Sequence, residues 1–369
     1  MNSFEIQIQL IALVTAVACA LPGVFLVLRR MAMMSDAISH TVLLGIVIAF
    51  FIVQDLSSPL LIFGAALTGV LTVSLVELLH RTRLVKEDAA IGLVFPALFS
   101  LAVILISRYA GDIHLDVDAV LLGELAFAPF NRFVVAGQDL GPLALWVMGG
   151  ILLLNLLFIT LFYKELKLAT FDAGLAAALG FAPGLIHYGL MTVVSITAVG
   201  AFDAVGSILV VALMIAPPVT AYLLTDSLPR MIGLSALFGG IGAIAGFWGA
   251  IYFDASIAGS MATVLGLLFA IVFLFAPERG MVALARRRRT QRWTFAQTAL
   301  TIHLLNHQGA ADEVEECSVA HLHEQLKWEE PFAQRVVRLS ERAGYIERHN
   351  GYLSLTAHGR EHAAEEIVA

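Results

Sequence analysis

Cysteine and charge are both scarce in this chain. Of its 369 residues only two are cysteine and 14% are charged, whereas 59% are hydrophobic. Cys19 lies in an apolar run near the start of the chain and Cys317 lies near its end. No disulfide framework is therefore possible within either part of the chain. A soluble domain carries roughly 25% charged residues, so this composition excludes a soluble globular protein of this length.

The motifs of common enzymes are also missing. We find no Walker A pattern, no Ser-His-Asp arrangement, no HExxH and no dinucleotide-binding fingerprint. The chain is therefore not expected to hydrolyse ATP by itself, and the sequence gives no basis for an enzyme.

The few charges are unevenly distributed along the chain. Residues 1–280 contain 11 Lys or Arg and 17 Asp or Glu, whereas the much shorter stretch 281–369 contains 11 and 12. This shift predicts a membrane domain over residues 1–280, a basic linker over 281–296 and a small domain over 297–369.

Apolar stretches of spanning or near-spanning length fill the first region. A span needs about 20 residues to cross about 30 Å of hydrocarbon. We expect an all-α polytopic membrane protein with nine spans, or eight if the sixth and seventh, separated only by residues 201–203, form one broken helix plus a span. The nine stretches are Ile6–Leu28, Met31–Val53, Pro59–Leu79, Ala89–Ser107, Pro142–Tyr163, Leu185–Gly200, Ala204–Leu224, Met231–Tyr252 and Ile257–Phe275. The glycine-rich run Gly239–Gly246 favours close packing inside one bundle, with a subunit interface as the alternative.

Basic residues predict the orientation of these spans. Five basic clusters are each separated from the next by two spans, so all can face the cytoplasm together. This places the N-terminus outside a bacterial plasma membrane and the C-terminal domain in the cytoplasm. The clusters are Arg29–Arg30, Arg81–Lys86, Lys164–Lys167, Arg230 and Arg279–Arg292; the exceptions, Arg108 and Arg132, flank the acidic residues Asp112, Asp116, Asp118 and Glu124. The short apolar stretch 119–129 reads as an outer-face or re-entrant helix.

Two ionisable residues lie inside the second apolar stretch. Asp36 and His40 are four residues apart and therefore share one helix face. An ionised Asp in hydrocarbon costs at least roughly 2.5–3.5 kcal/mol, so such a residue usually faces a cavity, a partner or an ion. The pair supplies half of a site for Mn²⁺, Fe²⁺ or Zn²⁺, and the absence of thiolate argues against Cu⁺. The alternative is an Asp–His hydrogen bond that pins two helices together.

Asp203 is a weaker candidate for a third ligand. It lies between the sixth and seventh apolar stretches, where Gly200 and Gly206 permit a helix break, and broken helices often line transport sites. It could equally be a vestibule residue or the N-cap of the next helix.

The stretch 168–183 predicts a short helix between two spans on the inner side. Asp172 can cap it, and Gly180 and Pro183 can end it. Its alanines leave little side chain exposed, which suits an interfacial helix or a docking helix for a motor subunit.

Four motifs in order resemble the permease subunits of bacterial ABC importers for manganese, zinc and iron. Residues 28–40 are similar to the family's RxMxLMGDAISHAVLPG segment, with Ser35 where glycine is usual and Leu44 where proline is usual. The other three motifs are Lys86–Gly92, Asp118–Pro129 and Gly206–Ala221.

The resemblance implies a dimeric permease, of like or related subunits, working with two cytoplasmic ATPases and an extracytoplasmic metal-binding protein. It places Asp36 and His40 on the metal pathway and Asp203 in a manganese/iron-type motif. The transported ion would be Mn²⁺, Fe²⁺ or Zn²⁺, with ATP bound on the partner and no resident cofactor. The family's coupling helix falls on Phe171, Asp172, Ala173, Gly174, Ala176, Ala177, Ala178, Leu179 and Gly180.

The last 73 residues read as a separate small fold. Helices are expected over 297–307, 318–325, 331–343 and 356–368, with a hairpin across Asn350-Gly351. This order resembles a winged helix-turn-helix, and the pattern around Gly344–Ala363 resembles the DNA-binding half of diphtheria-toxin-repressor-type metalloregulators.

Three arginines of this region, Arg335, Arg338 and Arg342, share a helix face and could contact DNA or a partner. Residues 290–369 contain 7 basic and 12 acidic residues, and phosphate binding needs a basic surface. We therefore favour a regulatory or interaction role for the domain. The alternative for the whole chain is a membrane-tethered, metal-responsive transcription regulator, and a third possibility is an ATP-independent carrier.

Overall fold

The structure is a computed structural model that describes residues 3–54, 58, 60–109, 125–135, 138–309, 317–319, 322, 326–349 and 351–368. The chain divides into two compact units, Met1–Gly280 and Met281–Ala369.

Helices dominate the first unit. They are α1 (Ser3–Leu28), α2 (Ala32–Val53), α3 (Leu60–Arg81), α4 (Glu87–Tyr109), α5 (Leu143–Leu161), α6 (Tyr163–Phe171), α7 (Ala173–Ala178), α8 (Pro183–Val205), α9 (Ser207–Tyr222), α10 (Leu228–Phe253) and α11 (Ile257–Phe275). A 3₁₀ turn (Ala128–Phe130) and two strands, β1 (Arg132–Val135) and β2 (Gln138–Pro142), lie between α4 and α5.

Eight of these helices are long and apolar enough to cross a membrane. They are α1 to α5, α8, α10 and α11. The described residues therefore contain eight full-length candidate spans and a shorter apolar helix, α9, of 16 residues, rather than nine full-length spans.

The break between the sixth and seventh predicted stretches lies farther along the chain than the sequence suggested. Helix α8 continues through residues 201–203 and ends at Val205, and α9 begins at Ser207. Gly206 separates them with φ +79° and ψ 161°, a conformation essentially restricted to glycine. A side chain at this position would force the backbone into strain.

Helix α1 forms the centre of the bundle. It packs against α5, α8, α9 and α10, and its Ile11–Leu26 stretch includes many fully buried residues. At Gly23 the backbone of α9 comes so close that a Cβ atom would lie 2.0 Å from the carbonyl oxygen of Met214. Small residues at such crossings let helices approach in lipid, where van der Waals packing replaces the hydrophobic effect.

Helix α2 packs against α3, α4, α8 and α9. Its contact with α3 is close because Gly45 and Gly64 face each other, and a Cβ atom on Gly45 would lie 2.2 Å from the Gly64 carbonyl oxygen. One turn earlier on α2, Thr41 Oγ1 accepts a 2.8 Å hydrogen bond from the Thr72 hydroxyl of α3. These contacts hold the helix that carries Asp36 and His40 against its neighbour.

The glycine-rich run of α10 packs within the bundle. A Cβ atom on Gly239 would lie 3.2 Å from the Ala16 carbonyl oxygen of α1, and one on Gly246 would lie 2.4 Å from the Met261 Cα of α11. The geometry thus favours the first of the two sequence interpretations, packing inside one subunit.

An antiparallel hairpin of β1 and β2 precedes α5, and the sequence analysis did not anticipate it. The hairpin accounts for Arg132, which was an exception to the charge pattern. Its Nε and Nη2 atoms bond the Asp139 carboxylate at 2.8 and 2.6 Å. The hydrogen bond from Arg132, together with one from the Gly141 backbone amide, lowers the pKa of Asp139. The acidic residues 112–124 and most of the helix expected at 119–129 lie outside the described residues.

The second unit contains α12 (Met281–His307), α13 (Glu330–Arg342), β3 (Ile346–His349), β4 (Tyr352–Leu355) and α14 (Ala357–Val368). The stretch 281–296, expected to be a linker, is the first part of α12. Strands β3 and β4 pair in antiparallel register around the predicted Gly351 turn. Leu300, Val336 and Leu353 share one small core, and the helix expected at 318–325 lies mostly outside the described residues.

Candidate functional site

Asp36 and His40 lie one turn apart on the same face of α2. Their Oδ1 and Nε2 atoms are 3.6 Å apart, which is longer than a hydrogen bond. Both side chains are partly accessible in the isolated chain, His40 at 31% and Asp36 at 37%. Because the two residues share one helix, their interaction does not itself pin two helices together, and their polar atoms remain available to a ligand.

Two phenylalanines of α4 cover one side of the imidazole. The His40 ring lies 5.4 Å from the ring of Phe95 and 5.9 Å from that of Phe99. Such contacts restrict the orientation of the ring without using its nitrogen atoms. The sequence analysis did not single out these residues, although their own four-residue spacing in an apolar helix is a usable signal.

The two departures from the family motif leave α2 unbroken. The Ser35 hydroxyl donates to the Ala32 carbonyl oxygen at 2.9 Å, so the extra polar group is satisfied within the helix. Leu44 is buried with Val47 and Ala102. The helix runs without interruption from Ala32 to Val53, so the substitutions do not displace Asp36 and His40 from their common face.

Asp203 does not join Asp36 and His40 in a ligand set. No group of three or more His, Cys, Asp or Glu side chains that could hold a metal ion occurs among the described residues. Asp203 lies in the last turn of α8 and its side chain is exposed. The N-cap of α9 is Gly206, so the interpretation of Asp203 as a helix cap is wrong.

The short helix α7 begins with the cap that the sequence predicts. The Asp172 carboxylate accepts a 2.8 Å hydrogen bond from the Leu175 backbone amide, which satisfies an otherwise free N–H group. Gly180 follows with φ +87°, whereas Pro183 opens α8 rather than ending α7.

The surface of α7 is apolar and exposed. Phe171, Leu175 and Leu179 are 62%, 47% and 58% accessible, whereas Ala176 is buried against the bundle. A contiguous apolar surface beside a short helix suits a protein partner.

The arginine face of α13 is only partly free. Arg335, Arg338 and Arg342 are all exposed. The Arg335 guanidinium, however, lies 4.8 Å from the centre of the Trp293 ring, and Trp293 in turn stacks on Phe332 at 5.0 Å. Among the described residues, Arg338 and Arg342 of that face make no such cation–π contact.

Comparison with known proteins identifies the larger unit. The model of the ABC 3 transport family matches residues 1–276. The zinc transport system membrane protein TroD of Treponema pallidum is 50% identical over 353 residues, covering 96% of each chain. The manganese transport system membrane protein MntD of Bacillus subtilis is 49% identical over 280 residues, covering 76% of this chain and 95% of its own length.

A solved structure agrees with the fold. The PsaBC protein from Streptococcus pneumoniae, determined in complex with a Fab, matches with a TM-score of 0.63 and 29% identity, covering 77% of this chain and 96% of that one. The helical bundle is the fold expected from the family match and from these relatives. This chain therefore belongs to the ABC 3 transport family and is a multi-pass membrane permease subunit of an ABC transporter.

Proposed function

We propose that this chain forms the membrane pathway through which an ABC importer moves a divalent transition-metal ion, with Asp36 and His40 as ligands along the route. The observation that carries the proposal is a carboxylate and an imidazole, 3.6 Å apart and partly accessible, inside a membrane-spanning helix. Ionisable groups are expensive in hydrocarbon and are retained mainly where they serve a pathway.

A second permease subunit completes the ligand set in this proposal. One chain offers two ligands, and the described residues hold no third one beside them. A like or related subunit that presents its own pair across an interface would supply four nitrogen and oxygen ligands. Asp203, which is exposed near the α8–α9 break, remains a weaker candidate for a residue along the same route.

Zinc and manganese are the ions favoured by the relatives' names, and iron fits the same ligand chemistry. Imidazole suits Zn²⁺ and Fe²⁺, and carboxylate suits Mn²⁺. Selectivity among them would come from geometry in the assembled complex and from the protein that delivers the ion.

Energy for transport comes from a separate ATPase subunit, which we place against α7 as its coupling helix. The capped, six-residue helix and the exposed Phe171, Leu175 and Leu179 support this contact. With α9 as a short ninth crossing, the basic clusters support an orientation with α7 and the C-terminal unit in the cytoplasm and the N-terminus outside the plasma membrane. An extracytoplasmic metal-binding protein would then deliver the ion to the opposite side.

Reconstitution with the partner subunits tests this function. Proteoliposomes that contain the chain, its co-expressed ATPase and the metal-binding protein are expected to accumulate radioactive manganese or zinc only when ATP is supplied to the ATPase. Liposomes with the chain alone are the control. Accumulation driven by an ion gradient in those control liposomes would instead identify an ATP-independent carrier.

For the C-terminal unit we propose a winged-helix module with a regulatory or partner-binding role. The helix α13, the β3–β4 hairpin and the final helix α14 support this architecture. The Bacillus relative aligns over 95% of its own length with only 76% of this chain. This supports an accessory role for the C-terminal unit.

Binding of this unit to DNA is expected to be absent or weak. The excess of acidic residues and the engagement of Arg335 with Trp293 leave little basic surface. We expect the full-length chain in detergent to leave its own promoter DNA unshifted in a low-salt gel assay. A shift that disappears in the double variant Arg338→Glu/Arg342→Glu would support the transcription regulator instead.

A further inference from the structure

A partly buried arginine connects the start of α2 to the segment that leads into α7. Arg29 lies in the short connection between α1 and α2, three residues before α2 begins. Its Nε atom donates to Thr170 Oγ1 at 3.1 Å, and its Nη1 atom lies 3.4 Å from His187 Nδ1. Thr170 lies near the end of α6, two residues before the Asp172 cap, and His187 lies in the first turns of α8. One guanidinium therefore joins three segments that are distant in sequence.

The energetics of Arg29 argue against a purely stabilising role. None of the ion pairs among the described residues involves Arg29, and burial lowers its pKa to about 10. Two buried nitrogen atoms of the cluster, Arg29 Nη2 and His187 Nε2, have no hydrogen-bond partner within the described part of the chain. Partial burial of a charge without a carboxylate partner and unsatisfied donors both cost free energy, so stability alone does not account for this arrangement.

The backbone at Arg29 transmits displacement directly to the helix that carries the candidate ligands. The connection is tight: the Met31 amide bonds the Leu26 carbonyl oxygen at 2.9 Å, and Arg30 adopts φ +62°. Helix α2 then begins at Ala32, and Asp36 follows about 6 Å along its axis at a rise of 1.5 Å per residue. A rigid helix moves as one body, so a shift at its first turn reaches Asp36 and His40.

We propose that Arg29 is a positioning residue that couples movement of the α7 segment to the Asp36–His40 end of α2. This inference rests on the proposed transport function, in which α7 receives the ATPase. When the α7 segment moves, Thr170 carries the Arg29 side chain with it and so shifts the α1–α2 connection. The Asp36–His40 pair is thereby displaced in step with the ATPase.

The variant Thr170→Val tests this coupling. Valine keeps the shape of threonine but removes the hydroxyl that accepts from Arg29. In the reconstituted complex we expect the number of metal ions taken up per ATP hydrolysed to fall about fivefold, within the range for one lost hydrogen bond. Basal ATP hydrolysis and assembly with the ATPase should stay within about twofold of the parent protein, because α7 and its surface are intact.

A second variant and a matched control complete the experiment. Arg29→Lys keeps the charge but loses the planar fork that reaches Thr170 and His187 together, so the same uncoupling is expected. Thr160→Val is the control, since among the described residues the Thr160 hydroxyl bonds only carbonyl oxygens of its own helix, at Leu156 and Leu157.

Two results would overturn the inference. The first is an unchanged uptake per ATP in Thr170→Val, which leaves the transport function itself intact. The second is a loss of assembly that parallels the loss of uptake, which would make the cluster a structural contact only. Failure of the parent complex to take up metal at all would instead count against the proposed function.

Discussion

Metal uptake is expected to fall about 100-fold or more when Asp36 is replaced by asparagine or His40 by leucine. Asparagine keeps the size of aspartate but loses the negative charge that offsets a divalent ion, and leucine removes the nitrogen ligand altogether. Changes even to the partners of metal ligands cost 10–100-fold in affinity or activity, so loss of a ligand should cost at least as much. The measurement is initial uptake in proteoliposomes, with assembly checked by co-purification of the ATPase.

Ser39→Ala is the matched control for this pair. Ser39 lies on the same helix between the two candidates, and in the described part of the chain its hydroxyl donates only to the Ser35 carbonyl oxygen, at 2.9 Å. Its removal should leave uptake within about twofold of the parent, since that bond is internal to α2. Normal uptake in both Asp36→Asn and His40→Leu would reject a role for the pair in the pathway.

Loss of folded protein is the expected outcome of the substitution Gly23→Ala. The added methyl group would lie 2.0 Å from the carbonyl oxygen of Met214, a backbone atom that cannot rotate away. Helices α1 and α9 would have to separate, which we expect to cost about 3 kcal/mol, at the upper end of the usual range for overpacking. Reversible unfolding in mixed micelles measures this free energy, and the yield of monodisperse protein provides a second readout.

The same substitution at Gly233 provides a comparison on α10. Apart from its own stretch of helix, no described residue places an atom within 4 Å of a Cβ atom there, so the helix gains an alanine without a clash. In water this exchange favours a helix by roughly 0.5–1 kcal/mol, and we expect stability equal to or above that of the parent. Equal stability of the two variants would show that the close approach at Gly23 is not required for folding.

Local patterns were sufficient to predict several parts of the fold. The shared face of Asp36 and His40 follows from helical spacing alone, and the Asp172 cap follows from the chemistry of a free backbone amide. The β3–β4 hairpin follows from the turn at Gly351. In each case the determining interaction joins residues only a few positions apart.

Interactions over long sequence distances could not be predicted in the same way. The contact of Arg29 with Thr170 spans 141 positions, and no periodicity in the sequence reports it. The helix break was placed too early, at residues 201–203 between Gly200 and Gly206, whereas the backbone conformation of Gly206 decides where α8 ends. Further metal ligands cannot be read from one chain if a second subunit contributes them.

The limited length of α9 affects how far water reaches into the bundle. Its 16 residues span about 24 Å, which is about 6 Å less than the hydrocarbon thickness of a bilayer. One end of α9 is therefore expected to lie below the level of the lipid headgroups, with the bilayer thinned around it. We expect an ion entering from that end to keep part of its hydration shell over this distance, so that dehydration takes place deeper in the protein.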